Sequence, residues 1–371
     1  MPKKIKTFDI ALYLIPLIFV TTSVSMIYSL VFGSDEIVVA TRQLIYALIG
    51  VFVMIAIGFV DYRFFRGTSW VFYLCSIILL IAVELFGKTV NGARNWLYLG
   101  FFQIQPSEVA KVFMVVYLSA FFSRRIKKIK WFDILLSIII LALPLVLILR
   151  EPDLGTAIVI CFVYFVILLA SRPTRWQIAT FACLIILISS TFFLSAFRIG
   201  PFEDILKDYQ RNRILTFIFP NSDPYGSGYN VRQAQISAGA GELWGRGLGR
   251  GSQSQLRFLP EPHTDFIFAG LAESLGFLGS SVFLLLYLSL ISKLISLARF
   301  ARDNFGVLLS LGSAGMLFFQ VAINVGMNLG IAPVTGIPLP LLSAGGTSLI
   351  MTLFLIGLVQ SVFIRHNKLT F

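Results

Sequence analysis

The chain has 371 residues, 57% of them apolar and 13% charged, about half the ~25% charged share of a soluble domain. A mean hydropathy of +0.86 excludes an ordinary water-soluble fold and points to a core buried against lipid. The formal charge of +12 does not imply nucleic acid, because the basic residues sit in short segments between apolar runs and no basic face alternates with exposed stacking aromatics.

Apolar stretches near 20 residues mark helices able to cross a hydrocarbon core of ~30 Å. Ten are predicted, at roughly 10–32, 43–60, 69–86, 107–122, 132–149, 154–170, 176–197, 266–292, 305–329 and 343–364. The expected fold class is therefore an all-α polytopic membrane protein, one integral-membrane domain over 1–371. The first run follows Met1-Pro-Lys-Lys-Ile-Lys6. It exceeds a signal-peptide apolar region and lacks an A-x-A-like cleavage site, so it is expected to be a retained span. An even number of spans puts both termini on one side. Of the 30 Lys and Arg, 17 fall on that side and only Arg42, Lys88, Arg94 and Arg150 in short segments opposite, which makes the termini cytoplasmic. Cys75, Cys161 and Cys183 lie in apolar runs, no C-x-x-C occurs, and the histidines are His263 and His366. Neither a structural zinc site nor a disulfide framework is expected.

In chain order, the first candidates are Arg94 and Trp96 in the outer segment Asn91-Gly-Ala-Arg-Asn-Trp-Leu97. Arg reads phosphate and Trp stacks on sugar, but Trp also belongs to the interfacial belt. Glu108 and Lys111 follow Gln105-Pro-Ser107, a helix start. They share one face of the first turn, either as a mutually neutralising pair or with Lys111 turned toward an anionic substrate. Glu151 and Asp153 flank Pro152 before the sixth span, where Asp153 has the chemistry of a helix N-cap.

The longest polar segment, about 198–264, is expected to be one extracytoplasmic loop before the eighth span. Glu203–Tyr209 can form a short interfacial helix and Asn221–Gly228 has turn chemistry. Residues 239–251 include a glycine run that is either a phosphate cradle or a flexible turn-rich loop, and it matches neither a P-loop nor G-x-G-x-x-G. The loop closes on Phe258-Leu-Pro-Glu-Pro-His-Thr-Asp-Phe-Ile-Phe-Ala269. That places Asp265 where polar chain enters an apolar helix, half desolvated, as an N-cap or as a base. His263 beside it suits a structural or a functional role. Finally, residues 331–346 hold three prolines and no charge. They are either a plain loop or a re-entrant segment lining a cavity.

Four of these segments together resemble the SEDS family (shape, elongation, division and sporulation proteins): Phe258–Ala269, Gln105-Pro-Ser-Glu-Val-Ala-Lys111, Arg150-Glu-Pro-Asp-Leu-Gly-Thr156 and Pro338-Leu-Pro-Leu-Leu-Ser-Ala-Gly-Gly346. The order, spacing and ten-span layout agree over nearly the whole chain. Asp208-Tyr-Gln-Arg-Asn-Arg213 resembles the rod-shape-determining branch (RodA) more than the division branch (FtsW), whereas Gly241-Glu-Leu-Trp-Gly245 is closer to the latter. Ala344 departs from the family by replacing an aromatic before the glycine pair.

The resemblance implies a peptidoglycan glycosyltransferase of the bacterial cytoplasmic membrane, active on its outer face. Such an enzyme polymerises lipid II beside a class B penicillin-binding protein. The resemblance puts the essential aspartate at Asp265, the transmembrane pair at Glu108 and Lys111, and the outer-loop tryptophan at Trp96. Substrate contacts are expected from Lys111, Glu108, Arg94, Trp96, Arg42, Arg213, His263, Glu151 and Asp153. No metal ligands are assigned, and a divalent cation (Mg or Mn) is a candidate for neutralising the leaving pyrophosphate. Two rival classes are a lipid II flippase and a non-catalytic scaffold for the penicillin-binding protein.

Overall fold

The computed structural model describes residues 9–31, 37–90, 93–100, 102–125, 129–202, 206–219, 226–251, 253, 258 and 262–365. Among these, nine helices are long and apolar enough to cross a membrane. They are α1 (Ala11–Val31), α2 (Ile37–Phe59), α4 (Ser69–Phe86), α5 (Pro106–Ser123), α6 (Trp131–Arg150), α8 (Arg175–Ala196), α11 (Ile267–Ala298), α12 (Asn304–Asn328) and α13 (Gly346–Ile364). A tenth apolar helix, α7 (Leu154–Ala170), is shorter, and α3 (Tyr62–Gly67) is a single short turn of helix. The protein is an all-α multi-pass membrane protein.

The described chain divides into two compact units. The first comprises 1–172, 283–321 and 340–371, and the second 173–282 and 322–339.

In the first unit, α13 is buried along most of its length and packs on α2, where a side chain at Gly357 would strike the Met54 backbone. Small residues at such crossings let helix backbones approach closely in lipid. The irregular backbone that precedes α13 keeps its polar groups bonded. The Ser23 hydroxyl donates to the Leu342 carbonyl (2.7 Å), the Gln43 amide to the Ser343 carbonyl (3.3 Å), and the Tyr287 hydroxyl to the Pro340 carbonyl. The Gly345 N–H donates to the Gln43 side-chain oxygen (3.3 Å). Irregular backbone in apolar surroundings is tolerated when protein satisfies its polar groups in this way.

Two expectations for this unit need correction. The second span begins at Ile37, so Arg42 lies inside α2 and not in the segment before it. Thr41-Arg42-Gln43 is polar but helical because Gln43 is 2% exposed and bonded to Ser23. The segment carrying Arg94 and Trp96, expected to be an outer loop, is a small antiparallel sheet, in the order β1 (Lys88–Val90), β2 (Ala93–Leu99), β3 (Phe102–Ile104). Trp96, Tyr98, Phe102 and Ile104 supply the aromatic and β-branched residues that favour strands.

In the second unit, the segment expected to be one long loop contains α9 (Asp208–Ile218) and α10 (Ser227–Ala240). Part of the Glu203–Tyr209 helix, most of the Asn221–Gly228 turn and most of the chain between Gly251 and His263 lie outside the described residues, as does His366.

Part of the glycine run, residues 242–247, is held and is not a free loop. It docks on a break in α11 at Gly276, which has φ 69° and ψ −171°, a conformation open essentially to glycine alone. Across that break the Phe277 N–H donates to the Glu242 carbonyl (2.7 Å) and Leu278 to Leu243 (3.1 Å), while Arg246 donates to Glu273 (2.9 Å) and Gly247 to Ser274 (2.9 Å). A β-carbon at Gly276 would lie 2.3 Å from the Gly245 nitrogen. Gly276→Ala is therefore expected to cost about 3 kcal/mol or more, visible as a lower thermal unfolding midpoint in detergent. An unchanged midpoint would remove this role.

Candidate functional site

Asp265 sits in the second unit, in a turn over 262–266 immediately before α11. Its backbone carbonyl accepts the side-chain amides of Asn324 (3.0 Å) and Asn328 (3.1 Å) from α12, both residues fully buried. Asn324 also donates to the Ile337 carbonyl (2.8 Å). The two asparagines thus bind the Asp265 turn to the irregular 331–339 segment. The N–H of Ala269, in the first turn of α11, donates to the Asn328 side-chain oxygen (3.1 Å). An N-terminal amide of the helix is therefore capped from another helix. The turn is fastened through its backbone, and the carboxylate stays half-buried, facing the exposed Gly336. A β-carbon there would stand 3.5 Å from Asp265 Oδ2.

Arg213 reaches the same segment, its guanidinium donating to the Thr335 carbonyl (3.3 Å), one residue before Gly336. Val334 packs against the small buried cluster of Ala234, Phe266 and Ala269. Asp265, Arg213 and the half-buried His263 are therefore brought into one neighbourhood. The sequence reading missed Asn324 and Asn328, although two asparagines four residues apart in an apolar span were a usable signal, since polar groups at membrane depth need a reason. It also missed Glu273, fully buried in α11, whose carboxylate accepts from the Ser237 hydroxyl (3.1 Å) and the Gln253 N–H (2.8 Å).

The other candidates lie in the first unit. Glu108 and Lys111 form an ion pair of 2.6 Å with side chains 4% and 2% exposed. The pairing alternative is thus the one observed. Asp153 caps α7, accepting the Thr156 N–H at 2.9 Å, and its second oxygen accepts the Ser107 hydroxyl at 3.0 Å, beside Glu108. Arg94 is exposed and donates to the Glu84 carbonyl (3.0 Å). Glu84 in turn pairs with Arg150 (3.1 Å). Trp96 and Arg42 are half-buried.

Glu151, in the turn between α6 and α7, is 4% exposed, and neither carboxylate oxygen has a hydrogen-bond partner among the described residues. Burial first, then the nearby Asp153 and Glu84 carboxylates, push its carboxyl up to about 9. It is neutral at pH 7. Between the ordinary Glu value of about 4.3 and about 9, the folded protein holds a proton that the unfolded chain has lost. Stability therefore falls as pH rises through that window, by up to about 1.4 kcal/mol per pH unit, and levels off above it. Glu151→Gln is expected to match the wild-type unfolding midpoint at pH 5 and exceed it at pH 8. A difference that does not grow with pH would contradict a neutral Glu151.

No group of three potential metal ligands occurs among the described residues.

The chain resembles proteins of known kind over nearly its whole length. It is 35% identical over 368 residues to the peptidoglycan glycosyltransferase MrdB of Escherichia coli K12, covering 98% of this chain and 97% of that one. It is 32% identical to the peptidoglycan glycosyltransferase RodA of Treponema pallidum, covering 98% and 99%. Among solved structures, a chain of a peptidoglycan synthase complex that coordinates polymerization and crosslinking superposes with a TM-score of 0.80 at 31% identity, covering 98% and 99%. The rod shape determining protein RodA of Thermus thermophilus superposes with a TM-score of 0.70 at 28% identity, covering 98% of each chain. The family profile FTSW_RODA_SPOVE, described as "Cell cycle protein", matches residues 4–368, and the chain belongs to this family.

Proposed function

We propose that the chain polymerises lipid II into glycan strands on the outer face of the cytoplasmic membrane, with Asp265 as the general base. It is a peptidoglycan glycosyltransferase of the RodA kind, serving elongation and shape. The observation that carries the base assignment is the backbone fastening of the Asp265 turn by two buried asparagines, which holds the carboxylate in place while leaving it half-exposed.

In the proposed reaction, Asp265 takes the proton of the acceptor GlcNAc 4-hydroxyl. That oxygen forms a bond to the anomeric carbon of the donor MurNAc, and the bond from this carbon to the diphosphate oxygen breaks on the opposite face. The diphosphate lipid leaves with the bonding pair, so an α-linked donor gives a β-linked strand. A diphosphate needs charge neutralisation more than a strong acid, for which Lys111, Arg94, Arg42 and Arg213 are the candidates. His263, Trp96, Glu108, Glu151 and Asp153 remain proposed binding or positioning groups. A class B penicillin-binding protein is the proposed partner. The structural likeness to a complex that coordinates polymerization and crosslinking supports it.

Product analysis separates this function from lipid transport. Purified protein in vesicles, with its partner present and lipid II labelled on one leaflet, should convert label into glycan. Label that changes leaflet without polymer would establish a flippase instead.

A further inference from the structure

The strip that lies across the break in α11 is held there by backbone groups alone. Its side chains Leu243, Trp244 and Leu248 are exposed, Trp244 to 80%, and so are Phe277 and Leu278 on the helix just past the break. An apolar surface of this kind marks a contact with a membrane or with another protein. A stable protein interface uses roughly 20–30 residues a side, far more than this strip and the helical turn beside it.

The position of the break favours lipid. The part of α11 from Phe277 to Ala298 is a helix of about 33 Å at 1.5 Å per residue, one crossing of a hydrocarbon core of ~30 Å. Arg299 and Arg302 follow it, as basic residues follow a span on the positive side of a membrane. Ile267–Leu275 and the strip therefore stand at the opposite boundary, where a Trp side chain rests between headgroups and acyl chains.

Charge narrows the choice of lipid. Arg246 and Arg250 are exposed, against the single carboxylate of Glu242 in the strip. The Arg246 Nε donates to the Ala240 carbonyl (2.8 Å), which fixes that side chain. Arg250 makes no ion pair with a described residue. It folds back over the strip, where a β-carbon at Gly247 would stand 3.7 Å from its Cδ. Guanidiniums select phosphate oxygens.

We propose that residues 242–250 bind anionic phospholipid on the Asp265 side of the bilayer, with Leu243, Trp244 and Leu248 among the acyl chains and Arg246 and Arg250 on the phosphates. The contact sets how far the first segment of α11, with the Asp265 turn at its start, stands from the lipid surface. It is independent of the proposed reaction, because lipid binding is read without substrate.

The full chain is reconstituted in mixed vesicles of phosphatidylcholine and phosphatidylglycerol, in which one lipid or the other carries brominated chains that quench tryptophan. Wild type, Arg250→Ala and Arg250→Lys are each measured with and without Trp244→Phe, and the difference isolates Trp244 from the other tryptophans. Arg250 is exposed, so its replacement should leave the unfolding midpoint in place. Brominated lipid is expected to quench Trp244, with phosphatidylglycerol preferred. Arg250→Ala should lower that preference about fivefold, as loss of one basic residue at a lipid surface predicts, and Arg250→Lys should restore most of it. Equal quenching by the two lipids, unchanged in Arg250→Ala, would make Trp244 an ordinary interfacial aromatic and overturn the proposal. Trp244 fluorescence that neither brominated lipid quenches would also overturn it and give the surface to a protein. Neither outcome would touch Asp265.

Discussion

Asp265→Asn is expected to lose at least 99% of lipid II turnover while the protein folds and assembles normally. A positioned base contributes typically 10²–10⁴-fold, and an amide cannot accept the hydroxyl proton. Folding should survive because the asparagines of α12 hold the Asp265 carbonyl, which the substitution retains. The amide is also close in size to the carboxylate that faces Gly336. The unfolding midpoint and the yield of complex with the partner should match wild type. Asn324→Ala and Asn328→Ala should behave differently, lowering stability and turnover together, because each removes one of the two amides on the Asp265 carbonyl, and Asn324→Ala also takes the donor from the Ile337 carbonyl, at about 1–3 kcal/mol. Retention of more than a tenth of the wild-type rate by Asp265→Asn would remove the base assignment.

Lys111→Ala should produce the largest loss of stability. It would leave Glu108 as a lone carboxylate that is 3% exposed within α5. Breaking a buried ion pair from one side costs roughly 3–5 kcal/mol, whereas replacing both partners by neutral groups of similar volume is often neutral or stabilising. The double variant Glu108→Gln, Lys111→Met should therefore recover the unfolding midpoint lost by Lys111→Ala. Activity then separates two roles that stability alone cannot. If Lys111 also meets the anionic substrate during the reaction, the double variant stays folded but shows a raised KM or a lowered kcat. Wild-type values for both constants would confine the pair to holding α5.

The sequence foretells most of the helical frame, because runs of apolar residues near 20 long have few alternatives in lipid. It also points to Asp265, since a carboxylate at the end of the longest polar stretch, beside an apolar helix, stands out in one dimension. The Glu108–Lys111 pair is legible for a similar reason, as a spacing of three residues puts both on one helical face. What stays hidden is whatever depends on distant partners. Asn324 and Asn328 serve a carbonyl 59 and 63 positions away. The glycine run acquires its role only from the break in α11, whose freed backbone groups it satisfies. Arg42 was displaced into a loop because Thr41-Arg42-Gln43 is locally polar, and only the burial of Gln43 against Ser23 shows why helix continues through it. The helices α9 and α10 escaped because their sequences are not apolar.

The most direct test of the central claim is a glycan ladder. The chain is co-purified with a class B penicillin-binding protein whose transpeptidase is inactivated, given labelled lipid II, and run beside its Asp265→Asn counterpart at equal complex concentration. The account predicts β-linked ladders from wild type and only unreacted lipid II from Asp265→Asn. Ladders of equal intensity from both, or none from either with the complex intact, would contradict it.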